Sequence, residues 1–258
     1  MSVSCFNSKQ FYRDSFSGLL VPPNTISNSA TLTNDLVSYY SFDSATYTDD
    51  VHGSNNGTAT GNIKDTTDFK MGVAGILGDN SNYINLGDVF KFTGAFSFSL
   101  WAMDKRTTYN YWDGYIGNYD VGGSLGWAMA TTNASGQFLI RLLDSVSNIK
   151  VLQLYVPVGT LNNSEFKSVI FTYDGGTAAT SISVYINGVE VIFSRTIAPG
   201  WTSLGTTSND TRIANVGSTS VERPLEDIYV DEIGVWDREL TSQEIADLYA
   251  DGAGLPYE

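Results

Sequence analysis

Hydrolysis of a glycosidic bond needs two carboxyl groups about 5 to 10 Å apart, one on each side of the sugar. The chain is rich in acids, with 28 Asp and Glu against 14 Lys and Arg, so a pair has to be sought by position rather than by abundance. The nearest grouping is Glu222, Glu226, Asp227, Asp231 and Glu232. His52 is the one histidine and Cys5 the one cysteine of the chain. They leave no Ser/His/Asp set around His52, no intrachain disulfide and no His/Cys zinc site. Saccharide binding asks for something else, namely aromatic faces that stack on C–H surfaces beside groups that take hydroxyls. The segment from Thr107 to Trp127 concentrates Tyr109, Tyr111, Trp112, Tyr115 and Tyr119 with Asn110, Asp113, Asn118 and Asp120. Trp201, in Pro199-Gly200-Trp201, is the next such residue. Two readings of these aromatics stay open: a sugar platform, or a hairpin whose rings fill the interior.

These residues need a scaffold, and the patterning describes one. Phe96-Ser-Phe-Ser-Leu-Trp101 alternates cleanly, so Phe96, Phe98 and Leu100 should face the core and Ser97, Ser99 and Trp101 the other side. Leu36–Asp43 and Tyr83–Gly87 read as strands. So do 126–130, 137–143, 151–156, 166–173, 181–186 and 189–193, the last two joined by Asn187-Gly188, a type I′ hairpin signal. The segment from Leu225 to Trp236 reads as a strand apolar on both faces, with Ile228, Val230, Glu232, Gly234 and Trp236 on one and Tyr229, Asp231, Ile233 and Val235 on the other. A short helix follows it. Thr241-Ser-Gln-Glu244 forms a capping box, Leu240 and Ile245 a hydrophobic staple, and Gly252 the expected C-terminal stop. Regularly spaced strands without an internal repeat describe one β-sandwich from residue 36 to 258. Residues 1–35 read as an arm, with Phe6, Phe11, Tyr12, Phe16, Leu19, Leu20 and Val21 scattered without period before Pro22-Pro23. It would cover a sheet edge or dock on a partner.

Composition bounds the function. A formal charge of -14 repels phosphate backbones and anionic lipid surfaces, so nucleic acid is not an expected partner. No apolar run approaches the roughly 18 residues of a membrane span, and membrane insertion is not expected. Residues 1–18 lack a basic start followed by an apolar core, so synthesis without secretion is expected.

Seven blocks resemble the laminin-G-like jelly roll of the concanavalin A-like lectin and glucanase superfamily. They are LVSYYSFD (36–43), HGSNNGT (52–58), YINLG (83–87), FSFSLW (96–101), VIFTYDG (169–175), VYINGVEV (184–191) and VDEIGVWDRELTSQEIADLYADG (230–252). The resemblance implies an all-β, two-sheet antiparallel jelly-roll sandwich with one short C-terminal helix. It also implies a structural calcium ion bridging the first strand's end and the last strand, which brings forward Asp43 and Asp231, with carbonyls near His52 and Gly53; Asp49 and Asp50 are alternative donors. Retaining glucanases of that superfamily carry a Glu-x-Asp-x-x-Glu strand, which is not found here, so no enzyme is expected. The alternatives are a carbohydrate-active hydrolase with an unrecognised carboxylate pair and a cement protein without a sugar site. The function expected is a non-catalytic glycan- or protein-recognition module. It would be part of a larger assembly reached through the arm, on the surface of a bacterial virus as a capsid decoration or fibre component, or otherwise extracellular or at a cell surface.

Overall fold

A computed structural model describes residues 31–79, 82–106, 113–119, 125–131, 137–144, 151–157, 159–161, 164–191, 194–216 and 226–255. Among these, sixteen strands and one α-helix follow one another as β1 (Leu36–Tyr40), β2 (Thr58–Thr60), β3 (Lys64–Asp65), β4 (Gly75–Asp79), β5 (Tyr83–Gly87), β6 (Phe96–Asp104), β7 (Asp113–Gly117), β8 (Leu125–Thr131), β9 (Phe138–Asp144), β10 (Val151–Tyr155), β11 (Lys167–Tyr173), β12 (Ile182–Ile186), β13 (Val189–Glu190), β14 (Ser194–Ile197), β15 (Thr211–Ile213), β16 (Glu226–Trp236) and α1 (Ser242–Tyr249). They make two antiparallel sheets. The first runs β13-β12-β11-β6-β16-β4-β3, with β1 also on β16; the second runs β14-β10-β9-β8-β7-β15-β5-β2.

The inner faces meet in one core. Phe96, Phe98, Leu100, Val169, Phe171 and Val184 of the first sheet belong to the same buried cluster as Ile84, Trp127, Met129, Ile140, Leu152 and Ile213 of the second. Phe98 and Trp127 approach to 4.4 Å between ring centroids. Each such side chain removed from water contributes about 2 kcal/mol, which is why the alternation of β6 was legible as a core strand.

The strand β16 departs from simple alternation. Ile228, Val230, Ile233 and Val235 all lie in the inter-sheet core, whereas strict period two puts the second pair on the opposite face from the first. The reason is a bulge: Glu232 has φ 53°, and the register against β6 shifts between Asp231 and Gly234. One extra residue flips the phase. The same point divides the other edge of β16, where β4 pairs with Glu226–Val230 and β1 with Ile233–Trp236.

The helix covers the outer face of the first sheet. Leu240, Ile245 and Leu248 pack with Leu36, Tyr39, Ile170 and Trp236. Thr241 Oγ1 accepts from the Glu244 N–H, and Glu244 accepts in return from the Thr241 N–H at 2.8 Å. The helix stops at Ala250, a left-handed cap whose N–H reaches the Ala246 carbonyl, ahead of the expected Gly252. Trp101, outward as expected, is nonetheless buried, its ring stacked on Tyr249.

Most of the arm, residues 1–30, lies outside the described residues. Its last five belong to the domain: Leu32 is buried with the helix, the Trp236 indole donates to its carbonyl at 2.7 Å, and Arg238 donates to the carbonyls of Thr31 and Asn34.

Candidate functional site

The acids come first, because their fate decides what chemistry remains. Asp231 sits where β1 and β4 part along β16. Its Oδ2 accepts from the Lys70 and Met71 N–H groups at 2.7 and 3.1 Å, and its Oδ1 from the Glu232 N–H. Asp43, just past β1, accepts from the Val73 and Ala74 N–H groups at 2.6 and 3.0 Å. The structure does bring the two close enough to repel: burial first, and then Asp43, raise the Asp231 pKa to about 7 against the pull of its N–H donors. Asp50 is buried as well and accepts from the N–H groups of Tyr39, His52, Gly53 and Asn55. Asp49 accepts from the Ser44 hydroxyl.

A calcium ion wants six to eight oxygens with their lone pairs turned to it. Here the Asp231 oxygens, the Asp50 oxygens and Oδ1 of Asp43 are turned to N–H donors that tie the 50–55 and 70–74 loops to the first sheet, and no group of three acidic, histidine or cysteine side chains assembles among the described residues. The donor set does not fit the ion.

The described members of the grouping considered for glycoside hydrolysis stand apart from one another. Glu222 and the Glu226 side chain lie outside the described residues. Asp227 is exposed. Asp231 is held as above, and Glu232 is buried on the helix side, where it accepts the Tyr39 hydroxyl. Glu232 also lines a small cavity with Ser99, Trp101, Ser168, Leu248 and Leu255.

The aromatics divide too. Tyr109, Tyr111 and Trp112 lie outside the described residues. Tyr115 is 0% exposed and meets Phe138 edge-on at 5.3 Å. A register shift between Gly114 and Ile116 lets it join Ile116 in the core. Trp201 is 5% exposed and belongs to the same core. Tyr119 is different: it packs half-buried on Ala128, Ala130 and Val216, on the outer face of the second sheet.

That face is the one that the described helix leaves uncovered. Its register is given by Asn85 opposite Arg212, Arg212 opposite Gly117, Gly117 opposite Ala128, Ala128 opposite Arg141 and Arg141 opposite Gln153. The row crosses five strand spacings, about 24 Å at roughly 4.8 Å each, which accommodates an oligosaccharide. Val216 fills the space over the two glycines, where a Cβ on Gly114 or Gly117 would come within 3 Å of it. To one side of that plug stand Tyr83 and Asn85, both half-buried, and the buried Arg212. To the other stand Arg141, Gln153 and Tyr155, all half-buried. Arg141 donates from Nε and Nη2 to Gln153 Oε1, each at 3.2 Å. Arg212 lies 4.4 Å from the centroid of the Tyr83 ring. Sequence reasoning missed Arg212 because β15 has three residues, too few for any period; Arg141 and Gln153 were the polar phase of strands that it did identify.

A two-sheet sandwich, closed by a helix on one side and bearing polar and aromatic side chains on the other, is the architecture of a binding module. The chain belongs to the concanavalin A-like lectin/glucanases superfamily, whose family model matches residues 78–246. No protein of curated function is similar to it in sequence. Among solved structures it is similar to domain 4 of AbnA, a GH43 extracellular arabinanase from Geobacillus stearothermophilus, in complex with arabinotriose. The identity is 20% over 83% of this chain and 97% of that one, with a TM-score of 0.60. It is also similar to the binding domain of Paraclostridial Mosquitocidal Protein 1, at 14% identity over 84% of this chain and 52% of that one, TM-score 0.62. A third is the botulinum neurotoxin serotype D ligand binding domain in complex with N-acetylneuraminic acid, at 14% identity over 85% and 52%, TM-score 0.60. The chain thus spans about half the length of the toxin domains. At these identities the likeness is one of fold.

Proposed function

We propose that the chain is a non-catalytic saccharide-recognition module whose binding surface is the outer face of the second sheet. The observation that carries this is the row Tyr83, Asn85, Tyr119, Arg141, Gln153 and Tyr155, half-buried on one face and mixing aromatic rings with amide and guanidinium donors. Such a surface suits sugars, whose C–H faces stack on rings and whose hydroxyls take hydrogen bonds. Membership of a lectin and glucanase superfamily and a neighbour solved with arabinotriose support the reading.

The test is a glycan array followed by calorimetry on the full chain and on Gln153→Ala and Tyr155→Ala. We expect binding to at least one oligosaccharide, weakened five-fold or more in each variant with the melting temperature held within about 2 °C. No binding, or binding unchanged in both variants, overturns the assignment.

The setting we propose is the outside of an assembly such as a bacterial virion, with residues 1–30 as anchor. Their unpatterned apolar residues support it. Comparison of the full chain with one beginning at Thr31, so that the packed residues 31–35 are kept, tests it: only the full chain should join the assembly.

A further inference from the structure

Arg212 is 95% buried, with 5% of its surface exposed, yet Nε and Nη1 have no hydrogen-bond partner among the described residues. Among the described residues it takes part in no ion pair. A guanidinium in such a place is unusual, since a buried charge is normally paired and its N–H groups normally bonded. Its neighbours do not answer the need. Tyr83 offers the face of its ring, which meets the charge from one side of the guanidinium plane and accepts from no N–H in that plane. Asp210, two residues earlier, gives its carboxylate to the Asn85 amide at 2.9 Å. Asn85 spends its own Oδ1 on the Gly87 N–H. Gly117, the residue opposite on β7, has no side chain to offer. Among the described residues, then, no acid pairs with this cation.

Resting on the saccharide-binding reading above, we propose that Arg212 is the anion-receiving group of the second-sheet face and that the ligand is a glycan carrying a carboxylate. Nε–H and Nη1–H point from opposite edges of the guanidinium, and a carboxylate oxygen arriving at either edge would accept a charge-assisted hydrogen bond from a cation that has no counter-ion among the described residues. Tyr83 is half-buried at the border of the site, and its ring holds the guanidinium in place. Arg141, three strands away on the same face, adds a second positive group about 14 Å along the row. The net charge of the protein opposes an anionic ligand in general, and Arg212, with no acid beside it among the described residues, makes a local exception.

The experiment is calorimetry of the full chain with a galacturonate trimer, a mannuronate trimer, sialyllactose, a sulfated galactose oligomer and the neutral galactose and arabinose trimers. Arg212→Met and Arg212→Lys are run in parallel, together with the melting temperature of each without ligand. We expect at least one carboxylated sugar to bind, at least tenfold more weakly to Arg212→Met and with part of the affinity kept in Arg212→Lys, and weakening as salt is raised. We expect unliganded Arg212→Met to melt no lower than the parent. Binding of neutral or sulfated sugars alone overturns the carboxylate assignment and leaves the saccharide reading standing; absence of all binding overturns both. Unchanged carboxylate binding in Arg212→Met, or a marked fall in its melting temperature, makes Arg212 a structural residue.

Discussion

Asp231 carries the clearest pH prediction. It is wholly buried, and burial followed by the nearby Asp43 lifts its pKa from 3.8 to about 7 in spite of three backbone N–H donors. Between these two values the folded chain holds a proton that the unfolded chain has released. Stability therefore falls as pH rises through that window and levels off above it. At about 1.4 kcal/mol per pH unit the loss amounts to about 4 kcal/mol at most. Asp231→Asn removes the titrating group. It also loses an acceptor, since the amide nitrogen cannot receive the N–H of Glu232 or of Lys70 and Met71, but that cost does not change with pH. Urea midpoints of parent and variant at steps from pH 4.5 to 8 separate the two effects: a constant offset reports the lost hydrogen bond, and a parent curve falling relative to the variant reports the proton. Groups titrating alike in both chains cancel. A calcium arm at pH 8 sharpens the test. The Asp231 oxygens face N–H donors, so millimolar calcium should leave both midpoints unchanged. Parallel curves, or a calcium-dependent rise in the parent alone, would refute the reasoning.

Two further perturbations address how the loops and the helix are fixed. Glu244 resists the upward push of burial because Arg238, Thr31 and Thr241 all donate to it, and its pKa falls to about 2. Its contribution is present above the ordinary value near 4.5 and lost as pH drops toward 2. Glu244→Gln should cost about 2 kcal/mol at pH 7 and flatten the acid limb of a thermal melt; an unchanged acid limb would contradict this. Asp50→Ala strands four N–H donors, of which that of Tyr39 lies in a buried strand. It should cost about 3 kcal/mol, with faster hydrogen exchange at the Tyr39 and Gly53 amides as the local readout.

Much of this fold was legible because local signals and tertiary packing agree. The alternation of β6 marks the core face, with Ser97 on the reverse receiving the Leu240 N–H. The Thr241 capping box and the Leu240–Ile245 staple mark the helix start. Asn187 and Gly188, with φ 52° and 74°, turn the β12–β13 hairpin as expected. What escaped has a common physical cause. A left-handed glutamate at 232 has no local signature, because its conformation is enforced by the division of the β16 edge between β1 and β4. The separation of Tyr115 from Tyr119 likewise depends on a register shift inside a five-residue strand. The row on the second sheet draws on β5, β15, β7, β8, β9 and β10, which only the sheet order brings together.

Several acids of this chain serve to fasten its parts together. Asp43, Asp50, Asp231 and Glu244 are turned inward to N–H donors and, for Glu244, to Arg238 at 2.7 Å, so they fasten the loops and the helix to the first sheet. Each backbone N–H bound to a carboxylate oxygen ties that side chain to its loop. Acidity here is thus consistent with scaffolding, and its abundance does not argue for metal binding or acid–base catalysis. On the second sheet Arg195 pairs with Glu190, Arg141 donates to Gln153, and Arg212 pairs with no acid among the described residues. A positive group without an acid beside it, as Arg212 is among the described residues, keeps its charge for a ligand, whereas an acid there would have cancelled the field. The face opposite the helix is therefore where recognition is to be sought.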